Sequence, residues 1–195
     1  MYNKEKVEEI VRDLLLAMGK DINTEGLKDT PRRVAVYWEE LLEGENYTNE
    51  EIANKFNKSF EVDTDSLVVK EIRDVFSHCE HHLALMYNLK VTVAYLPIKT
   101  ENNRYKVIGL SKIPRIVEMC AKRLQLQEKL TDDIAQCISI ATGSPDVYVN
   151  ITGDHACVSA RGAKSDGFTD TTVLKGAFKE NQALREEIER KVRVK

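Results

Sequence analysis

The chain has little of what several protein classes require. Its 195 residues carry 29 Lys and Arg against 32 Asp and Glu, a net charge of -3. Without a basic excess it does not read as a dedicated nucleic-acid binder. No apolar run approaches the roughly 20 residues that cross a bilayer, so no membrane partner is expected. The charged N-terminus lacks the apolar stretch of a secretory signal. The four cysteines have no framework spacing, which points away from disulfides and towards a reducing, cytoplasmic setting with metal or core roles. Internal repeats and low-complexity tracts are also absent. What remains is ordinary soluble composition, in a length that fits one domain with a real core.

Histidine is scarce too, with four in the chain, and their placement is the main signal. Three fall in Ser77-His78-Cys79-Glu80-His81-His82, and the fourth in Asp154-His155-Ala156-Cys157. The two clusters hold every histidine and half the cysteines. We read them as a split transition-metal site, with zinc the expected ion. Cys79 and His82 are three positions apart, a spacing that brings both side chains to one ion in a tight turn. Cys157 adds a second sulfur from far downstream. Three protein ligands leave one tetrahedral position for water, the pattern of a catalytic zinc site. Bound zinc lowers the pKa of that water towards about 7. His81 and His155 are then free for proton transfer. A closed structural site, with His155 or His78 as fourth ligand, is the alternative on spacing alone. Cys120 and Cys137 sit on apolar helical faces and are expected in the core.

The patterning predicts an amphipathic helix over residues 4–18, stopped at Gly19, and a second begun by a Thr30 cap with Pro31 in the first position and ended by Gly44. Residues 45–62 look like a connection with one short helical turn. Strands are expected from Leu67 into the first cluster, over residues 89–98 and 105–110, and through Val147, Val149 and Ile151 into the second. Ser111 and Thr131 are expected to cap two central helices. The buried face of the first is Ile116, Val117, Cys120 and Leu124; that of the second is Ile134, Cys137, Ile138 and Ala141. Residues 164–172 read as loop and 181–194 as a charged helix. The order predicts an α+β fold, an antiparallel sheet backed by two central helices.

Gly109-Leu110-Ser111-Lys112-Ile113-Pro114-Arg115 sets a strand end against a helix start, where free N–H groups, a hydroxyl and two cations suit phosphate. Arg161 lies four residues past Cys157 and brings a guanidinium able to grip phosphate oxygens. Gln125, Gln127 and Glu128 follow the first central helix, and a carboxylate there can accept two N–H bonds from a guanine edge. Each of these is also compatible with a solvated surface.

These residues resemble the GTP cyclohydrolase I family. The likeness runs from Gly26-Leu27-Lys28-Asp29-Thr30-Pro31-Arg32-Arg33-Val34-Ala35 to the C-terminal helix. It is densest at Cys79-Glu80-His81-His82, Val91 to Pro97, Ile108 to Lys112, Gln127 to Thr131, His155-Ala156-Cys157 and Arg161-Gly162. The resemblance implies a tunnelling fold (T-fold), with an N-terminal helical segment over 1–62 and a catalytic domain over 63–195. It implies a homodecamer with shared active sites, and conversion of GTP and water to formate and 7,8-dihydroneopterin triphosphate. It implies Cys79, His82 and Cys157 as zinc ligands, with zinc-bound water attacking C8 and His155 protonating the ring nitrogen. His81 and Ser111 would move protons in later steps. Glu128, helped by Gln127, would hold the guanine edge, and Lys112, Arg115, Arg161 and Arg33 the triphosphate. Two positions depart from the family's common pattern. Val36 stands where members often carry Lys, and Leu83-Ala84-Leu85-Met86 where many read Leu-Pro-Phe. A non-catalytic zinc-containing nucleotide-binding module of the same fold is the alternative, though such a module has no use for proton carriers beside the ligands.

Overall fold

The computed structural model describes residues 2–193. Two amphipathic helices, α1 (Lys4–Ala17) and α2 (Thr30–Leu41), open the chain and pack on each other. Asn3 caps α1 by accepting from the Lys6 N–H. A 3-10 turn (Glu43–Asn46) and α3 (Asn49–Lys55) follow. Thr48 and Glu51 form a reciprocal capping box at the start of α3, satisfying two backbone donors that would otherwise lack partners.

Next come β1 (Ser59–Val62), β2 (Val68–Cys79), β3 (Ala84–Tyr95), β4 (Ile98–Lys99) and β5 (Tyr105–Ile108). Then follow α4 (Lys112–Ala121), β6 (Leu124–Gln125), α5 (Gln127–Thr142), β7 (Val147–His155), α6 (Ala156–Ser159), β8 (Thr169–Leu174), α7 (Ala177–Glu180) and α8 (Gln182–Arg193). The larger sheet has the order β6-β2-β3-β7-β8, antiparallel except for the short β6–β2 pair. A smaller one has the order β1-β5-β4. The architecture is mixed α+β, as expected.

β3 is the central strand and is buried along most of its second half, and α4 and α5 supply the opposing layer. Leu89, Val91, Val93, Ile116, Val117, Leu130, Ile134 and Ile138 are all buried in one core. Cys120 and Cys137 lie there with sulfurs 3.6 Å apart. Two bulges bend the long strands, marked by register shifts at Ile72/Val75 and Tyr87/Lys90. Asp74 and Asn88 take positive φ within them, a conformation that short polar side chains tolerate.

Several expected boundaries move. Asp29, not Thr30, occupies the cap position of α2; Thr30 is inside the helix and its hydroxyl reaches back to the Gly26 carbonyl. Helix α2 stops at Leu41, and Gly44 lies in the 3-10 turn, where a Cβ would sit 2.1 Å from the Met119 carbonyl oxygen. The connection over 45–62 contains α3 and the strand β1. Helix α5 begins at Gln127 rather than after Thr131, because Leu126 is still extended; the Thr131 hydroxyl bonds the Gln127 carbonyl one turn back. Leu124 belongs to β6, not to α4. The supposed loop 164–172 ends in β8, paired along β7 from Gly153 to Tyr148. The two segments expected on either side of residue 62 are joined closely: β1 pairs with β5 and α3 packs on α5. The C-terminal helix agrees to Arg193; residue 194 lies outside the described residues. Among the described residues no helix is long and apolar enough to cross a membrane.

Candidate metal centre

Strand pairing builds the site. β2 ends at Cys79, the chain turns through Glu80–Leu83, and β3 returns with Ala84 opposite Cys79. On the other side of β3, Met86 pairs with His155 at the end of β7. The two clusters, about seventy residues apart, therefore meet across one strand. Leu83 closes the turn with φ +52°, in the left-handed region.

The ligand atoms of Cys79, His82 and Cys157 all lie within 4.8 Å of one another. Cys79 is buried, Cys157 half-buried and His82 exposed, so the cluster is open on one side. Two sulfurs and one imidazole suit zinc, and among the described residues no further His, Cys, Asp or Glu joins the group. Burial pushes the Cys157 thiol up, Cys79 beside it adds to the shift, and Arg161 opposes it. Two adjacent thiols resist ionising together until a cation arrives, so metal loading releases protons.

The other three histidines are not in the ligand group. His78, next along β2, points to the opposite side of the sheet, where its Nε2 lies 3.2 Å from the Tyr37 hydroxyl and its ring meets Trp38 edge-on. Burial pulls its pKa below the ordinary histidine value. His155 is half-buried, with Nε2 2.8 Å from Gln127 Oε1. Burial pulls its pKa down as well, against a smaller upward pull from Glu128 and Asp154. Neither His78 nor His155 is in the ligand group, so the fourth-ligand alternative lacks its candidates. The His81 and His82 rings stand at 87° to each other, and His81 is exposed beside the cluster.

The remaining site residues divide into two sets. Arg161 Nη1 lies 3.1 Å from His82 Nε2, at the rim of the cluster. Glu128 is exposed on the first turn of α5, close enough to His155 to act on its charge. Gln127, beside it, is buried, with its amide engaged inside the chain. Ser111, Lys112 and Arg115 are the other set. The C-terminal end of α4 lies at the metal turn, because Ser77 Oγ donates to the Ala121 carbonyl and Gln125 pairs with Cys79. The ten residues of α4 span about 15 Å. Ser111, Lys112 and Arg115 therefore lie at the far end of that helix from the chain's own cluster. Arg33 is exposed on α2, 3.6 Å from Asp29. Sequence reasoning missed the Gln127–His155 bond, which joins residues 28 positions apart with no local pattern to announce it.

Two thiols and one imidazole converging at an open turn, with a second histidine alongside, define a candidate transition-metal centre with room for an outside ligand. The family model described as GTP cyclohydrolase I matches residues 7–193, and the chain belongs to that family. It is 51% identical over 180 residues to the GTP cyclohydrolase 1 of Clostridium botulinum (strain Kyoto / Type A2), covering 88% of each chain. It is 49% identical over 190 residues to the protein of the same name from Clostridium beijerinckii, covering 93% of each. The same identity and length hold for that of Ruminiclostridium cellulolyticum, covering 93% of this chain and 94% of that one.

Proposed function

We propose that the protein is a zinc-dependent GTP cyclohydrolase that converts GTP and water to formate and 7,8-dihydroneopterin triphosphate. The observation that carries this is the convergence of Cys79, His82 and Cys157, beside His155, in a chain of this family. A zinc ion held there supplies Lewis acidity and lowers the pKa of water towards about 7.

The protein's own groups do the rest. His155 handles the proton at the purine ring nitrogen. His81 and Ser111 carry protons in ribose opening and rearrangement. Glu128 accepts the two N–H groups of the guanine edge. Lys112, Arg115, Arg161 and Arg33 hold the triphosphate. Because Ser111, Lys112 and Arg115 sit at the far end of α4 from the chain's own metal cluster, we place them in the site of a neighbouring copy. This supports a homo-oligomer with shared sites, and we take the homodecamer as its form. In the same reading the long antiparallel β2–β3 and β7–β8 pairs backed by α4 and α5 are a tunnelling fold. A reducing cytoplasm suits Cys79 and Cys157 as thiolate donors.

The test is metal analysis coupled to a formate assay. Protein holding one zinc per chain should release one formate per GTP consumed and yield a product that becomes fluorescent on oxidation. Tight GTP binding without formate would instead make the chain a binding module.

A further inference from the structure

Gln127 opens α5 and is 1% exposed. Its Nε2 donates to the carbonyls of Ile151 (3.0 Å) and Thr169 (3.2 Å) and to Thr171 Oγ1 (3.0 Å). Main-chain carbonyls only accept, so the atom they surround is the amide nitrogen and the amide has one possible orientation. Its oxygen therefore faces His155 Nε2 at 2.8 Å. An amide oxygen also only accepts, so His155 Nε2 is the donor and carries a hydrogen. The reverse tautomer would set two lone pairs against each other in a buried place.

The geometry points to Gln127 as a positioning residue that holds His155 in the Nε2–H tautomer and leaves Nδ1 to exchange protons with substrate. The hold extends across the sheet. Thr131 Oγ1 donates to the Gln127 main-chain carbonyl (2.7 Å) and lies 2.7 Å from Thr171 Oγ1, the hydroxyl that also meets the Gln127 amide nitrogen, so α5 and β8 are tied together beside it. This differs from the guanine-edge role that family resemblance implies for Gln127, since both hydrogens of its amide are engaged inside the chain and its oxygen already accepts from His155. Glu128, exposed on the same turn, is free for that edge.

The inference rests on the cyclohydrolase reading for the identity of the proton acceptor, and two measurements test it separately from that reading. Gln127→Ala in the zinc-loaded protein should lower kcat for formate release by about 10²-fold, with KM for GTP and zinc content each within about twofold of wild type. An unchanged kcat, with or without a raised KM, overturns the proposal. Neutron diffraction from deuterated wild-type crystals locates the imidazole deuteron without any variant having to fold. A deuteron on Nε2, alone or with a second on Nδ1, supports the proposal; one on Nδ1 alone overturns it. An inert wild-type enzyme would defeat the cyclohydrolase reading and leave the deuteron measurement still decisive for the tautomer.

Discussion

Arg123, between α4 and β6, ties the 43–49 segment to the body of the protein, and its removal has a calculable effect. Its guanidinium donates to the Gly44 carbonyl (3.1 Å), the Tyr47 carbonyl (2.7 Å), Asn49 Oδ1 (2.8 Å) and Asp133 Oδ2 (2.8 Å). The Arg123 and Asp133 side chains are only 8% and 9% exposed. Arg123→Met keeps most of the stem's bulk and deletes every donor. Breaking a buried ion pair from one side costs about 3–5 kcal/mol. Lys129 and Asn49 stay on Asp133, so the lower end applies, about 3 kcal/mol. With a urea slope of about 2–3 kcal/mol/M for a chain of this size, the midpoint should fall by about 1–1.5 M. Equilibrium urea unfolding followed by circular dichroism, at one protein concentration, measures it. A fall under about 0.4 M at unchanged slope would refute the reasoning, since that is about 1 kcal/mol.

The same pair sets an acid response. Burial pushes the Asp133 carboxyl up, but Lys129, Asn49 and Arg123 together hold it below its ordinary value. A depressed carboxyl contributes stability that is whole above its unfolded pKa, near 4, and is lost as pH falls through the lower folded value. Wild type should therefore lose more stability than Arg123→Met on acidification below about pH 4.

Cys157→Ser should bring zinc content from one per chain towards none, and formate release with it; retained zinc would remove Cys157 from the ligands. His155→Ala should keep its zinc and lose about 10²-fold or more in kcat, and loss of the metal instead would make His155 a ligand. Gly153→Ala should lower Tm by several degrees, because the new Cβ would lie 2.2 Å from Leu89 Cδ2 and 3.2 Å from the Tyr87 carbonyl oxygen. Overpacking of that kind costs about 1–3 kcal/mol, so an unchanged Tm would show that the β3 bulge yields freely.

The metal cluster was legible because its chemistry is concentrated: few histidines, two sulfurs, short spacings. The strands leading to it were legible because Val91, Val93, Val147, Val149 and Ile151 face a core and repeat accordingly. β8 was not, since Asp170, Thr171 and Thr172 are a polar run at a sheet edge whose partners lie twenty residues upstream. Thr131 resembles a cap in sequence, yet Gln127 begins the helix because its side chain is pulled inward by β7 and β8. On spacing alone His78 is a possible fourth ligand of a closed site. Strand alternation alone sends it to the opposite face, towards Tyr37 and Trp38.

The fifteen-ångström reach of α4 has a genetic consequence on the proposed assembly. In that assembly a copy damaged at Cys157 and another damaged at Lys112 would each spoil a different shared pocket. Co-expressed, the two inactive alleles should rebuild some intact pockets, whereas one allele damaged at both residues should spoil two pockets per copy and rescue neither partner.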